Sequence, residues 1–221
     1  MNKNIDNTID DTTDNKPINA TDNVLNNMFK KKVFLICGRT ASGKDSIANK
    51  LAEQGYKLLT SYTTRPRRAN EKDTHIFITK EEINGFKKPQ DNLDSIIAYT
   101  KIGECEYFAT MRQLLECDIY IIDPVGIKYL EKLVPQIKEI YNIDLELVTI
   151  FISVSEQECF TRALGRSDNR EKVVERMVAE YEQFKEFREK EVFYSIPNYN
   201  FNLCYSIVER IVEKEMESLH D

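Results

Sequence analysis

The chain has 221 residues, 41% hydrophobic and 31% charged, which suits one well-packed domain with appendages and argues against two domains. Its 31 basic and 37 acidic residues give a formal net charge of -6, which argues against nucleic acid as the main partner, although a local basic cluster could still bind phosphate. No apolar run approaches the roughly 20 residues that span a bilayer, and no apolar signal core begins the chain, so we expect a cytoplasmic protein without a membrane partner.

The cysteines and histidines do not form a metal-binding pattern. The five cysteines lack C-x-x-C spacing, and the only histidines are His75 and His220. A zinc site needs about four such ligands at close spacing. We therefore expect the cysteines to be reduced thiols in the core.

Residues 1–30 are predicted to be a disordered tail rich in Asn and Asp. The stretch from Met1 to about Asn27 has few large apolar residues and no sustained periodicity, so it cannot bury enough surface to offset the entropy of ordering. From Lys32 onward, strand-like and helix-like segments alternate. This alternation predicts an α/β fold in which helices cover both faces of a parallel sheet.

A glycine-bounded loop joins the first predicted strand, 33–37, to a predicted helix over 45–53. The loop consists of Gly38, Arg39, Thr40, Ala41, Ser42, Gly43, Lys44 and Asp45. In the pattern G-x-x-x-x-G-K-[ST], glycines let backbone N–H groups turn toward phosphate oxygens, and the helix N-terminus and the lysine add positive charge. The strand-loop-helix setting therefore predicts that residues 38–45 bind nucleotide phosphates.

Asp45 stands where this pattern normally has a Ser or Thr that coordinates Mg²⁺. A carboxylate is also a hard oxygen ligand for that ion. Alternatively, Asp45 is only a favourable negative charge at the helix start. Asp45 is thus a candidate metal ligand, and both roles stay open.

The remaining elements follow from periodicity and capping signals. Two S/T-x-x-E capping boxes, at Thr79 and Ser155, predict helices that begin at about 80 and 156. Apolar residues at helical spacing predict a helix over 171–191 with a buried stripe, and a last helix covers 206–219. The stripe consists of Val174, Met177, Val178, Tyr181 and Phe184. Further strands are predicted at 57–60, 118–122, 147–153 and 200–203.

A basic run over residues 61–71 follows the second predicted strand. It holds three arginines, three hydroxyl side chains and a tyrosine. Arginine can bind phosphate through two parallel hydrogen bonds, and ligands of open α/β sheets bind beyond the carboxyl ends of the strands. This position favours a second phosphate-binding segment beside the loop 38–45.

At these residues the chain resembles the guanylate kinase family, whose members carry a Ser-x-Thr-Thr-Arg-x-x-Arg-x-x-Glu segment after the phosphate-binding loop. The matching positions are Ser61, Thr63, Thr64, Arg65, Arg68 and Glu71. The likeness continues through a Gly-x-x-x-Tyr segment ending at Tyr107 and a strand end at Asp123. It then reaches an arginine-bearing segment with Arg162, Arg166 and Arg170, and it covers roughly residues 32 to 218.

The resemblance implies a P-loop NTPase fold of three α/β/α layers around a parallel sheet. A guanylate kinase-like domain would occupy residues 31–221, with an acceptor-binding insertion at 61–110 and a lid at 162–172. The implied activity is Mg²⁺-dependent transfer of the ATP γ-phosphoryl group to a nucleoside monophosphate, foremost GMP or dGMP. The likeness thus names ATP and Mg²⁺ as the cofactors.

The same resemblance assigns roles to residues. The catalytic cations would be Lys44, Arg65, Arg162 and Arg166. The acceptor would be held by Ser61, Arg65, Arg68, Glu71, Tyr107, Thr110 and Asp123. Asp123 would also lie near the metal, although it could instead only cap the helix that follows Pro124. The arginines of the lid segment could alternatively be a solvated helix face.

The chain departs from the family at several base-site positions. His75 replaces a tyrosine and is interpreted as a structural or rim residue. The family's second base-site glutamate would fall within Ile96-Ile97-Ala98, which contains no glutamate. The family's small hydroxyl residue at the base would fall near Ala109, and Thr110 could substitute for it. Because these base-site groups are absent, the acceptor could also be another nucleotide or a sugar phosphate. A non-catalytic interaction module is a further alternative, against which Lys44, the loop glycines and the lid arginines argue.

Overall fold

A computed structural model describes residues 28–67, 75–86, 93–165, 169–188 and 194–219, which contain eight strands and seven helices. The strands are β1 (Phe29–Cys37), β2 (Tyr62–Thr63), β3 (Ile76–Phe77), β4 (Ile96–Ile102), β5 (Cys105–Thr110), β6 (Ile119–Ile121), β7 (Ile143–Ser153) and β8 (Tyr194–Pro197). The helices are α1 (Lys44–Glu53), α2 (Ile83–Phe86), α3 (Met111–Glu116), α4 (Pro124–Tyr141), α5 (Glu156–Gly165), α6 (Arg170–Arg188) and α7 (Phe201–Glu217).

The main sheet is parallel, with strand order β6-β1-β7-β8. β1 lies near its centre and buries both faces, as its continuous apolar run predicts. Val33, Leu35 and Cys37 pack on the side of α4, whereas Phe34 and Ile36 pack on the side of α1 and α7. The predicted α/β fold with a parallel sheet core is confirmed.

A second sheet, with order β3-β2-β5-β4, lies within residues 62–110. β5 is antiparallel to β2 and β4, and β2 pairs in parallel with β3. The β4–β5 register shifts between Ile97 and Thr100, and Ala98 has a φ of 49° there. This bulge places Ala98 and Thr100 on the wall of the cavity described below.

Several predicted elements match the structure. Helix α1 buries Ile47, Ala48 and Leu51 as its spacing predicts. α5 begins at Glu156, and the backbone N–H of Glu158 donates to the Ser155 hydroxyl at 3.2 Å. The predicted strands 33–37 and 147–153 are both present within longer strands. No helix in the described part of the chain is both long and apolar enough to cross a membrane.

Other predicted elements are wrong. The segment 200–203 is not a strand, because the Asn200 side chain accepts from the Leu203 N–H at 3.0 Å and so caps α7, which begins five residues before the predicted start. The last strand is instead β8. Leu58 makes only an isolated bridge to Ile119, so 57–60 is not a regular strand. The Thr79 capping box forms, but turns precede the short helix α2.

The buried stripe of α6 is also shifted. Val174, Val178 and Tyr181 are exposed. Phe184 is buried as predicted, and Met177 is partly buried against the cluster of Ala41, Ala163 and Val173. Val173, which is not in the predicted stripe, is buried as well. Residues 1–27 of the predicted tail lie outside the described residues. The last two residues of that prediction, Phe29 and Lys30, belong to β1.

Candidate active site

The backbone of the loop 38–45 turns sharply between β1 and α1. Ala41 and Gly43 have φ values of 61° and 93°, and the Ser42 N–H donates to the Arg39 carbonyl at 3.0 Å. Gly43 is the N-cap of α1 and supplies no side-chain cap. The first N–H groups of a helix have no partners within it, so the start of α1 is suited to bind an anion.

At two positions of the loop, neighbouring atoms lie too close to leave room for a Cβ, which explains the glycines there. A Cβ at Gly38 would lie 2.6 Å from Ser42 Oγ and 2.9 Å from the Ile152 carbonyl oxygen. A Cβ at Gly43 would lie 2.5 Å from Asn198 Nδ2. That amide donates to the Ser42 carbonyl oxygen at 2.7 Å, so Asn198 fixes the loop from the end of β8.

Lys44 provides the positive charge of the loop. Its side chain is about one-fifth exposed, and its Nζ lies 3.4 Å from Asp45 Oδ2. Burial acts to lower the pKa of Lys44, but the Asp45 and Glu180 carboxylates outweigh it, and the pKa lies above its ordinary value. Lys44 is therefore charged at neutral pH.

Arg39 and Thr40 tie the loop to the helices α5 and α6. Arg39 is buried, with Nη2 at 3.0 Å from Glu156 Oε1 and its guanidinium 5.6 Å from the Phe184 ring centroid. The Thr40 N–H donates to Glu180 Oε2 at 2.9 Å. Of these two loop residues, only Thr40 is among the described residues of the cavity wall.

The basic segment after residue 60 reaches the same cavity. Ser61, Arg65 and Tyr107 all line it. Ser61 Oγ is 2.9 Å from His75 Nδ1, and the His75 and Tyr107 rings meet edge to face with centroids 5.8 Å apart. The Arg65 guanidinium lies over the Phe77 ring at 5.4 Å. A hydroxyl, a guanidinium, a phenol and an imidazole thus line the same cavity, and the guanidinium is suited to bind phosphate.

Asp123 lies at the carboxyl end of β6 and is the N-cap of α4. Its Oδ1 accepts from the Gly126 N–H at 2.7 Å and from the Thr100 hydroxyl at 3.4 Å. Burial raises the pKa of Asp123, and the hydrogen bonds from Gly126 and Thr100 oppose the rise. Asp123 therefore caps α4 and also lines the cavity, so the two roles proposed from the sequence are compatible.

One cavity of about 700 Å³ connects these groups. Loop residues form one part of its wall, residues of the second sheet form another, and α6 contributes a third. The α6 residues in the wall are Lys172, Glu175, Arg176, Ala179, Glu180, Gln183 and Phe184. The volume is within the range of small-molecule sites.

Some predicted site residues lie elsewhere. The Thr110 hydroxyl accepts from the Gln113 N–H in the capping box of α3, and Thr110 is not among the described residues of the cavity wall. Arg162 donates to Glu158 Oε1 and to the Asn198 carbonyl oxygen, both at 2.8 Å, and is likewise absent from that wall. Arg68, Glu71 and Arg166 lie outside the described residues.

Sequence reasoning missed several wall residues. Thr100 and Cys105 are ordinary strand residues by pattern, and Cys105 lines the cavity, unlike the four buried cysteines. His75, which the sequence indicates as a structural or rim residue, is also in the wall. Glu180 had one available signal in the sequence, because it falls at helical spacing between Met177 and Phe184 of the predicted stripe.

Comparisons with known proteins identify the family. The sequence profile described as guanylate kinase matches residues 30–215. Compared by sequence with curated proteins, the chain has no significant match. Among solved structures, the guanylate kinase from Anaplasma phagocytophilum is similar in fold, with a TM-score of 0.57 and 22% identity over 83% of this chain and 86% of that one. The chain therefore belongs to the guanylate kinase family and is a nucleoside monophosphate kinase.

Proposed function

We propose that the protein transfers the γ-phosphoryl group of ATP, with Mg²⁺, to a nucleoside monophosphate, and that GMP or dGMP is the preferred acceptor. The observation that carries the proposal is that Lys44 and the basic group around Arg65 line one cavity of about 700 Å³. Two phosphate-binding groups in one cavity suit a reaction that joins two phosphates.

On the donor side, the loop 38–45 would hold the polyphosphate of ATP. The positive end of α1 and the charge of Lys44 favour anions there. Phosphoryl transfer needs little covalent chemistry from the protein, so positioning and charge stabilisation supply most of the acceleration. Lys44 would stabilise the charge that develops on the transferred group.

On the acceptor side, Ser61, Arg65 and Tyr107 would hold the phosphate of the monophosphate. Arg65 supplies the charge, while the hydroxyl groups orient the phosphate by hydrogen bonds. The family likeness adds Arg68 and Glu71 to this group. Arg176, which lines the cavity from α6, is a further cation that could neutralise the transferred phosphoryl group, beside the Arg162 and Arg166 of the sequence prediction.

The residues present fit a magnesium ion held jointly with phosphate oxygens. In the described parts of the chain, no group of three or more His, Cys, Asp or Glu side chains could hold a metal ion. Mg²⁺ at such sites usually takes only one or two carboxylates and keeps waters and phosphate oxygens. Asp45 and Asp123 line the cavity and could supply those carboxylates. When bound, the ion would neutralise phosphate charge and orient the polyphosphate.

The base site supports GMP less firmly than the phosphate sites support a kinase. Ala98 lines the cavity and Ile97 is buried in the core, so the β4 segment that would carry a second base-site glutamate offers no carboxylate. Thr100, Cys105 and Asp123 are among the polar side chains of the described cavity wall. This observation favours a second candidate, in which the acceptor is a nucleoside monophosphate with another base.

The test is an ADP-release assay with ATP, Mg²⁺ and a panel of ribo- and deoxynucleoside monophosphates, followed by sugar phosphates. We expect the highest kcat/KM with GMP or dGMP and no turnover above background in Lys44→Ala. Turnover only with other acceptors would support the kinase activity and contradict the preference for guanine nucleotides. No transfer to any acceptor would contradict the proposed reaction.

A further inference from the structure

A carboxylate occupies an apolar position on helix α6. Val173 and Phe184 are buried, and Met177 packs against the cluster that Val173 forms with Ala41 and Ala163. Helical spacing puts Glu180 on the same face, one turn after Met177. A charged group at such a position is costly unless it is paired, so its partners indicate why it is tolerated.

The partners of Glu180 belong to the phosphate-binding loop. One carboxylate oxygen accepts from the Thr40 N–H at 2.9 Å, and the other accepts from the Thr40 hydroxyl at 2.5 Å. Glu180 also lines the cavity beside Lys44. An anion of the protein itself is therefore bound by a loop whose backbone and lysine are arranged to bind phosphate.

We propose that Glu180 is an internal competitor of nucleotide phosphate, whose carboxylate holds the Thr40 end of the loop and opposes the binding of a polyphosphate. The proposal rests on the proposed function, because it concerns the ATP side of the same site. A polyphosphate in the loop would lie close to the Glu180 charge, and like charges in a partly buried site repel strongly. Glu180 also offsets part of the attraction that Lys44 exerts on an anion.

The contact further couples nucleotide binding to α6. Lys172 and Arg176 line the cavity from the same helix, about two turns and one turn before Glu180, respectively. While Thr40 and Glu180 are bonded, these basic side chains are held beside the loop. Glu180 is thus a positioning residue, and it makes ATP affinity weaker than the loop alone would give.

The test is direct calorimetric binding of ATP, with and without Mg²⁺, to the wild type, to Glu180→Gln and to Glu182→Gln. Gln keeps the shape but has no charge. Its carbonyl oxygen can accept from the Thr40 N–H, and its NH₂ group can donate to the Thr40 hydroxyl oxygen. Glu182 is exposed on the same helix and is not in the described cavity wall, so its variant controls for net charge. We expect Glu180→Gln to lower the Kd for ATP about three- to tenfold and Glu182→Gln to leave it unchanged.

Two further readouts separate competition from a structural role. Salt screens charge repulsion, so the gain in Glu180→Gln should shrink as ionic strength rises. The KM of the acceptor should stay unchanged while the KM of ATP falls. Equal or weaker ATP binding in Glu180→Gln, or the same gain in Glu182→Gln, would overturn the proposal. Absence of ATP binding in the wild type would instead refute the proposed function, and with it this inference.

Discussion

The guanidinium of Arg162 donates a hydrogen bond of 2.8 Å to the backbone carbonyl oxygen of Asn198. Asn198 is buried, and its side-chain amide donates in turn to the Ser42 carbonyl oxygen at 2.7 Å. Helix α5 is thereby connected through the turn after β8 to the phosphate-binding loop. Arg162 can therefore affect the reaction through the shape of the loop, besides the direct role that the sequence suggests.

Replacing Asn198 with Ala should weaken both folding and ATP binding. The variant leaves the buried Ser42 carbonyl without this donor, which costs about 1–3 kcal/mol in the free energy of unfolding. The loop also loses a fixed support, so we expect the Kd for ATP to rise about tenfold. Urea unfolding and calorimetric titration measure the two effects.

Asn200→Ala is the matched control for that variant. Asn200 caps α7 through the Leu203 N–H and has no described bond to the loop. Its loss should cost about 1 kcal/mol of stability and leave ATP affinity unchanged. If both alanine variants weaken ATP binding equally, general destabilisation explains the effect and the bond to Ser42 does not.

Gly43 and Gly55 provide a second matched pair. Both have positive φ, 93° and 102°, but a Cβ at Gly43 would meet Asn198 at 2.5 Å whereas a Cβ at Gly55 meets nothing within 4 Å. Gly55→Ala should cost about 1–2 kcal/mol through backbone strain alone and spare ATP binding. Gly43→Ala should be less stable than Gly55→Ala and should weaken ATP binding as well. Thermal unfolding with and without ATP compares them, and identical behaviour would contradict the importance of the Asn198 contact.

Lys44→Ala and Arg65→Ala should affect different kinetic constants. Removing the Lys44 charge should lower kcat by about two to three orders of magnitude, because it removes stabilisation of the transferred phosphoryl group. Arg65→Ala should mainly raise the KM of the acceptor, since Arg65 lines the acceptor part of the cavity. Steady-state kinetics with each substrate varied in turn separates the effects. Near wild-type constants in both variants would be incompatible with the proposed roles.

The fold was largely predictable, because its main signals are local. The apolar run of β1, the glycine loop and the face of α1 lie next to one another in sequence, and the structure contains all three. The error at 200–203 is also local, since Asn200 can cap a helix and the short alternating Asn-Phe-Asn-Leu segment fits either element. The shift of the α6 stripe has another cause, because helix orientation is set by tertiary contacts such as that of Phe184 with Phe151.

The site was predictable only where a motif marks it. Lys44, Ser61, Arg65, Tyr107 and Asp123 belong to recognisable segments, and all of them line one cavity. The contacts of His75 with Ser61 and of Glu180 with Thr40 join residues from separate elements, so no local pattern reveals them. Thr110 shows the opposite case, in which a motif position is used to cap a helix.

The negative charge of Asp123 lowers the stability of the fold but is needed for the proposed role of this residue. Burial raises its pKa, so the folded protein holds a proton on this carboxyl more tightly than the unfolded chain does. When the folded pKa of an acid lies above the unfolded value, the free energy of unfolding falls as pH rises from the unfolded pKa, about 4, through the folded pKa. Above the unfolded pKa, Asp123 therefore makes the fold less stable than it is at low pH, whereas below about pH 4 this penalty is absent.

Asp123→Asn should accordingly be more stable than the wild type at pH 7, with a difference that disappears toward pH 4. The Asn amide can still accept from the Gly126 N–H and cap α4, but it carries no charge to bury. Activity should fall, because the carboxylate proposed to face acceptor and metal is lost. Urea unfolding between pH 4 and 8 measures the difference. Asp123→Ala, which loses the cap, should instead be about 1 kcal/mol less stable than Asp123→Asn. If the difference in the free energy of unfolding does not depend on pH, or if the Asn variant is less stable at pH 7, the Asp123 charge does not destabilise the fold.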